Sequence, residues 1–277
     1  MLNKTSSEPL VTGGFEPLER IDGDPSCGLL LLGDHANLLL PEEYGNLGLP
    51  EAEFARHIAS DIGTRALIFA LAERLPAMAL MTRFSRLLID PNRGEDDPTL
   101  IMKISDRALV PGNASVDRRE RDKRLNLYYR PYHNAITDQL DLMIASGTVP
   151  VIFSVHSFTN VWRGVPRPWH AGILWDRDPR LAVPVIEGLR QESHLVVGDN
   201  EPYKGSLRGD TMYRHGTRRG IAHALVEVRQ DLIQSDDGVQ EWADRLAAIL
   251  KNIIGSPGLH ELTEFGSMSD EPRLQRA

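Results

Sequence analysis

Two stretches of this chain run apolar with almost no interruption, CGLLLLG at 27–33 and VPVIFSV at 149–155. A strand with no polar face must be covered on both sides, so each belongs inside a sheet with helices above and below it. The chain supplies such helices. VQEWADRLAAILKNII sets Trp242, Leu246, Leu250 and Ile253 along one helical face. Between Glu51 and Leu75, the residues Phe54, Ile58, Ile62, Leu67 and Leu71 recur every four or five positions before Pro76 imposes a stop. Further strands are expected at MAL, SRLLID, AGILWD, LVVGDN and GIAHALVEVRQDLI, with a helix around PRLAVPVIEGLRQES. Strands alternating with helices point to a three-layer α/β sandwich, a mixed central sheet flanked by helices.

The connecting segments divide the chain. Residues 1–26 read as an extended N-terminal arm, 27–255 as a single α/β domain and 256–277 as a loosely ordered C-terminal tail. Residues 92–113 are rich in Pro, Gly and Asp and read as a long loop over the sheet. Residues 117–146 read as one helix, kinked or broken at Pro131.

Charge and cysteine usage narrow the partners. With 31 Lys and Arg against 39 Asp and Glu, the net charge of −8 leaves no basic field for nucleic acid or anionic lipid. No apolar run approaches a membrane span, so no membrane partner is expected. The one cysteine, Cys27, can form neither an internal disulfide nor a multi-cysteine zinc site. It reads as a buried structural residue of a reducing compartment, which makes a cytoplasmic setting the expectation. A small molecule is the partner class that remains.

Several strands end on polar groups. LLLLGDH presents His35, VIFSVHS presents His156, LVVGDNE presents Asp199 to Glu201, and the segments RLLIDPNR and ALVEVRQ add Asp90, Asn92, Arg93, Glu227 and Arg229. In open α/β sheets ligands bind beyond the carboxyl ends of strands, so these side chains are candidates for one pocket. Any one histidine, taken alone, is better explained as a half-buried side chain bonded to a neighbouring carbonyl. Two histidines from distant strands with a carboxylate form the usual ligand set of a hydrolytic zinc site. H-E-x-x-H is absent, and Leu38 stands where a His-x-x-Glu motif would need its Glu. His57 and Asp61, four apart, would share a helical face; Asp61 could complete the coordination, orient a ligand, or simply pair with His57. Glu227 has a structural alternative too, an ion pair with Arg229. Phosphate-binding glycine loops and the G-x-S-x-G elbow are missing, which sets aside nucleotide and serine-hydrolase chemistry.

Seven motifs stand in order from Leu30 to Ile233: GDHANLLLP, HIASDIG, RLLIDPNR, YYRPYH, VHSFT, VGDNEPY and ALVEVRQDLI. Together they resemble the N-formylglutamate amidohydrolase family. The resemblance implies a zinc carboxypeptidase-like fold and hydrolysis of N-formyl-L-glutamate to formate and glutamate. It implies His35 and His156 as ligands of Zn2+ or another divalent metal, with Asp61 the candidate third ligand. Glu227 is then the general base, and Asn92 with Arg93 grip the substrate carboxylate. Asp199, Asn200 and Tyr203 would shape the pocket, while His133 and His215 would contact substrate. Asp90 is expected to position Arg93. The alternative function is a non-catalytic or metal-free binder of an acidic amino-acid derivative, favoured by the missing Glu at position 38.

Overall fold

The computed structural model describes residues 14–270. Its central sheet has seven strands: β1 (Leu18–Ile21), β2 (Leu29–Gly33), β3 (Met78–Thr82), β4 (Val151–Phe158), β5 (Ala171–Leu174), β6 (Val197–Asp199) and β7 (His223–Arg229). Their spatial order is β1-β3-β2-β4-β7-β5-β6. β2 lies parallel to β3 and β4, β4 to β7, and β5 to β6. β1 is antiparallel to β3, and β5 to β7, which makes the sheet mixed.

The apolar runs are buried for the reason their composition implies. Leu29 and Leu31 of β2, Val151 and Phe153 of β4, and Ala224 and Val226 of β7 share one cluster. That cluster includes the apolar faces of α2 (Thr64–Arg74), α5 (Pro179–Arg190) and α7 (Asp236–Ile253). Alternate residues Leu30, Leu32, Ile152 and Leu225 pack on the opposite side with Tyr132, Ile136 and Leu140 of α4 (Arg130–Ala145). Every residue of β2 and β4 is buried. Among the described residues no helix is long and apolar enough to cross a membrane.

Four local readings are corrected. The helix expected over 51–75 is two pieces, α1 (Glu51–Phe54) and α2, separated by turns. Gly63 adopts φ +81 before α2, and a Cβ there would meet the Ile233 carbonyl at 2.2 Å, so the chain turns where the apolar spacing suggests continuity. SRLLID is a buried series of turns rather than a strand; Ser85 ties it down by donating from Oγ to the Ala59 carbonyl at 2.7 Å. Pro131 does not break its helix. α3 (Arg118–Arg124) passes through a π segment, Leu125–Tyr129, into α4, and the Arg130 N–H bonds the Leu125 carbonyl five residues back. The wider turn just ahead of Pro131 accommodates its ring and its missing N–H. Cys27 is half-buried rather than buried.

The ends are partly visible. Of the arm, residues 18–21 form β1, and residues 1–13 lie outside the described residues. Of the tail, 256–270 follows the body, with His260 bonded to the Val149 and Ile254 carbonyls at 2.7 and 2.6 Å. Residues 271–277 lie outside the described residues.

Candidate active site

Adjacent parallel strands open at the same edge of a sheet, so the residues ending β2 and β4 meet there. Asp34 and His35 follow β2, and His156 lies in β4 on the face shared with Ile152. Glu227 of β7 is the register partner of His156. Asp61 comes from the turns before α2, not from a helical face with His57. Its N–H donates to the His35 carbonyl at 2.9 Å, and Ser157 Oγ donates to the Ile62 carbonyl at 2.8 Å. Those two bonds tie the Asp61 segment across the ends of both strands. His57 instead approaches Asp106, at 3.7 Å.

Both imidazoles are clamped on their outer side. His35 donates from Nε2 to Asp90 Oδ1 at 2.7 Å, and His156 from Nε2 to Asp34 Oδ2 at 3.1 Å. Their Nδ1 atoms turn toward Asp61, standing 3.5 Å (His35) and 2.9 Å (His156) from its Oδ2. The rings are 4.9 Å apart and nearly perpendicular. Arg86 closes the back, donating to Asp90 Oδ2 at 2.7 Å and to Asp61 Oδ1 at 3.4 Å.

The electrostatics follow from burying so many charges together. Burial alone would raise Asp34, but the bond to and charge of His156, with His35 and the Thr211 hydroxyl, together outweigh this and hold it at about 2. Burial likewise opposes ionisation of Asp61 and Asp90, yet the imidazoles of His35 and His156 around the first, and Arg86, His35 and Arg93 around the second, together hold each well below the ordinary carboxylate range. For His156, burial is overcome by Asp34 and Asp61, which raise it to about 10. Glu227 behaves oppositely. Burial pushes it up to about 7, and its buried Oε2 has no hydrogen-bond partner among the described residues. Arg229 pairs with Asp231 at 2.8 Å, which removes the structural ion pair as an account of Glu227.

The donor set fits a divalent cation. His35 Nδ1 is buried with no hydrogen-bond partner among the described residues. Ligand atoms from His35, Asp61 and His156 all lie within 4.8 Å of one another. Tetrahedral coordination at ~2.0–2.1 Å spaces ligand atoms about 3.4 Å apart, close to the 3.5 Å between His35 Nδ1 and Asp61 Oδ2. A carboxylate on the far nitrogen of each imidazole is the usual support for a metal-binding histidine.

These groups line a cavity of about 480 Å³. Of the sequence candidates, His35, Asp61, Asn92, Arg93, His156, Tyr203 and Glu227 border it. Asp90, His133, Asp199, Asn200, Glu201, His215 and Arg229 lie outside its lining. Asp199 accepts from Trp175 Nε1 at 2.7 Å, and Asn200 Oδ1 accepts from the N–H groups of Trp175 (3.1 Å) and Gly205 (2.9 Å), so both support the wall that Trp175 and Gly205 form. His133 donates from Nε2 to the Pro91 carbonyl at 3.0 Å, which leaves its Nδ1 to accept from His215 Nε2 at 2.9 Å. That stacked pair sits behind the Asp90–Arg93 turn. The Asp90 carboxylate serves His35 and Arg86, while its carbonyl accepts from the Arg93 N–H at 3.2 Å, so it also helps hold the Arg93 backbone.

Sequence reasoning missed Asp34 and Arg86. Asp34 adjoins His35 in the DH pair, and the four-residue spacing of Arg86 and Asp90 was the available signal for the second. Leu38, by contrast, is 44 % exposed and outside the cavity. Its side chain has no bearing on the ligand set, and Asp61 supplies the carboxylate.

Comparisons with known proteins bear on the fold and the family. A solved gene product of Agrobacterium tumefaciens is 29% identical, covering 90% of this chain and 99% of its own, with a TM-score of 0.82. The N-formylglutamate amidohydrolase of Ralstonia eutropha JMP134 shares the fold at 23% identity, covering 86% of this chain and 97% of its own, with a TM-score of 0.64. No curated protein matches the sequence. The family model for N-formylglutamate amidohydrolase matches residues 27–234, a span that contains every cavity residue named above. The chain, with the motifs that first suggested it, belongs to the N-formylglutamate amidohydrolase family.

Proposed function

We propose that this chain is a metal-dependent amidohydrolase, with a zinc carboxypeptidase-like scaffold, that cleaves the amide of a small N-acyl amino acid. N-formyl-L-glutamate is the reference substrate, and a cytoplasmic setting is in keeping with the single cysteine. The observation that carries the reading is the convergence of two carboxylate-clamped imidazoles on Asp61, opposite an unpartnered Glu227. His35, His156 and Asp61 would hold the cation. When bound there it supplies Lewis-acid polarisation of the amide and acidifies water.

The chain's own groups account for the remaining steps. Glu227 takes a proton from the attacking water and returns it to the departing amine, a task for a carboxylate raised toward neutrality. Arg93, anchored by its own donation to the Asn92 carbonyl at 3.0 Å, offers a planar fork for the substrate carboxylate. Arg86 keeps Asp61 and Asp90 in place.

Formate release from N-formyl amino acids, before and after chelator treatment and after zinc is restored, tests the proposal. Activity lost to chelator and recovered with metal supports it; ligand binding without any product supports a binder instead.

A further inference from the structure

The carboxylate grip has an apolar neighbour. Asn92 Oδ1 accepts from the Thr211 N–H at 3.2 Å, docking the Asp90–Arg93 turn on the start of α6 (Thr211–His215). The next residue of α6, Met212, is buried in one cluster with Leu225 and Leu174. All three line the cavity. Leu225 precedes Glu227 by one strand repeat and therefore faces the same side, and Leu174 is its register partner. Beside the grip, and one repeat below the Glu227 carboxylate, the cavity thus has an aliphatic floor.

Of the cavity's polar residues, His223 and Asp210 each stand two positions before a floor residue in sequence, and neither suits an anion. His223 has both ring nitrogens engaged: Nδ1 donates to the Ile221 carbonyl at 2.7 Å, and Nε2 accepts from Thr217 Oγ1 at 3.2 Å. Asp210 is itself a buried carboxyl group. The cavity's lysine and arginine residues are Arg86, Arg93 and Lys204. Arg86 is held by Asp61 and Asp90, Arg93 is assigned to the main-chain carboxylate, and Lys204 is exposed on the outer loop. A glutamate side chain laid on Leu225 would bring a second carboxylate out of water with no cation to meet it.

We infer that the Leu174–Met212–Leu225 floor is a side-chain subsite for an aliphatic residue, so that the preferred substrate is an N-acyl amino acid of leucine or methionine type. The chemistry rests on the amidohydrolase reading above; the polarity of the subsite does not. Discrimination of ~10–100-fold against glutamate is expected, the range set by an apolar pocket that leaves a charged group unpaired.

Two measurements on the full chain separate these layers. In the first, kcat/KM for formate release is compared for N-formyl-L-leucine, N-formyl-L-methionine and N-formyl-L-glutamate. In the second, the same three compounds are titrated into Glu227→Gln by calorimetry, which reads binding whether or not turnover occurs. Tighter binding of the leucine and methionine compounds is expected, along with faster turnover. If none is hydrolysed while the leucine compound still binds best, the reaction assignment fails and the subsite stands. If glutamate binds as well or better, or none of the three binds, the subsite assignment is overturned. Leu225→Lys should shift the binding ratio toward glutamate by ~10-fold or more, as an ion pair replaces an aliphatic contact. Met212→Lys makes the same test from the helix side should the strand variant fail to fold, and an unchanged ratio in the folded variant contradicts the assignment.

Discussion

Glu227 and His156 are register partners on adjacent parallel strands, so backbone hydrogen bonding fixes the proposed base beside the proposed ligand. Neither residue depends on a loop for its placement. That separation of base and ligand onto rigid neighbours makes their roles testable one at a time.

Replacing Glu227 with Gln keeps the shape and removes the proton acceptor. kcat should fall by ~10²–10⁴-fold, the usual worth of a positioned general base. Bound metal, measured by elemental analysis, should be unchanged. A variant that keeps full turnover would assign the base elsewhere.

Asp90 and Asp34 hold the far nitrogens of His35 and His156. Asp90→Asn and Asp34→Asn should each weaken metal binding by ~10–100-fold in a chelator competition titration. Unchanged affinity in both would mean that the imidazole orientation is set by packing alone.

Arg93 is expected to act on substrate binding. Arg93→Ala should raise KM by ~10–100-fold with a smaller change in kcat, since a charge-assisted bond is worth ~1.5–3 kcal/mol. A fall in kcat at constant KM would place Arg93 at the reacting bond instead.

Stability should respond to acid through the buried His133–His215 pair. Burial holds His133 down at about 3 and His215 well below its ordinary value, so both are neutral in the folded protein and charge on unfolding. A base with a lowered folded pKa keeps its contribution above its unfolded value of ~6.5 and loses it progressively as pH falls from there toward the folded value, about 3 for His133. Denaturant melts of wild type should weaken from pH 6.5 to 5, and His133→Asn should take up about one proton fewer on unfolding. Parallel pH slopes for the two proteins would show that His133 carries a proton when folded.

Gly172 tests the sheet that holds Glu227. It is a register partner of Glu227, and a Cβ there would meet the Glu201 carbonyl oxygen at 1.8 Å. Gly172→Ala should cost about 3 kcal/mol, at the upper end for overpacking, because the obstructing atom is backbone. A melt within 1 °C of wild type would show that the 200–205 loop yields without cost.

Much of this arrangement could be read from residue order, and the failures have physical causes. The apolar runs of β2 and β4 announced their burial, and polar residues at their ends announced a site, because position in a parallel sheet is encoded locally. Asp61 was found through its spacing from His57, yet the helix behind that argument does not exist; Gly63 and the Ile233 carbonyl interrupt it. The His35–Asp90 and His156–Asp34 bonds depend on contacts between distant segments, which local patterns do not carry, whereas Arg86, four residues before Asp90, was within reach of a spacing argument. Asp199 and Asn200 share a motif with the cavity residue Tyr203 but bond to Trp175 and Gly205, and His133 and His215 bond to each other behind the cavity. A motif marks a segment, and only the fold assigns each of its side chains a direction.

The central claim is tested most directly by anomalous diffraction at the zinc edge from crystals grown with the metal. The account predicts one strong peak within ~2.0–2.2 Å of His35 Nδ1, His156 Nδ1 and an Asp61 carboxylate oxygen, with Glu227 facing it across the cavity. A peak bound through the Nε2 atoms, or one away from these three side chains, would contradict it.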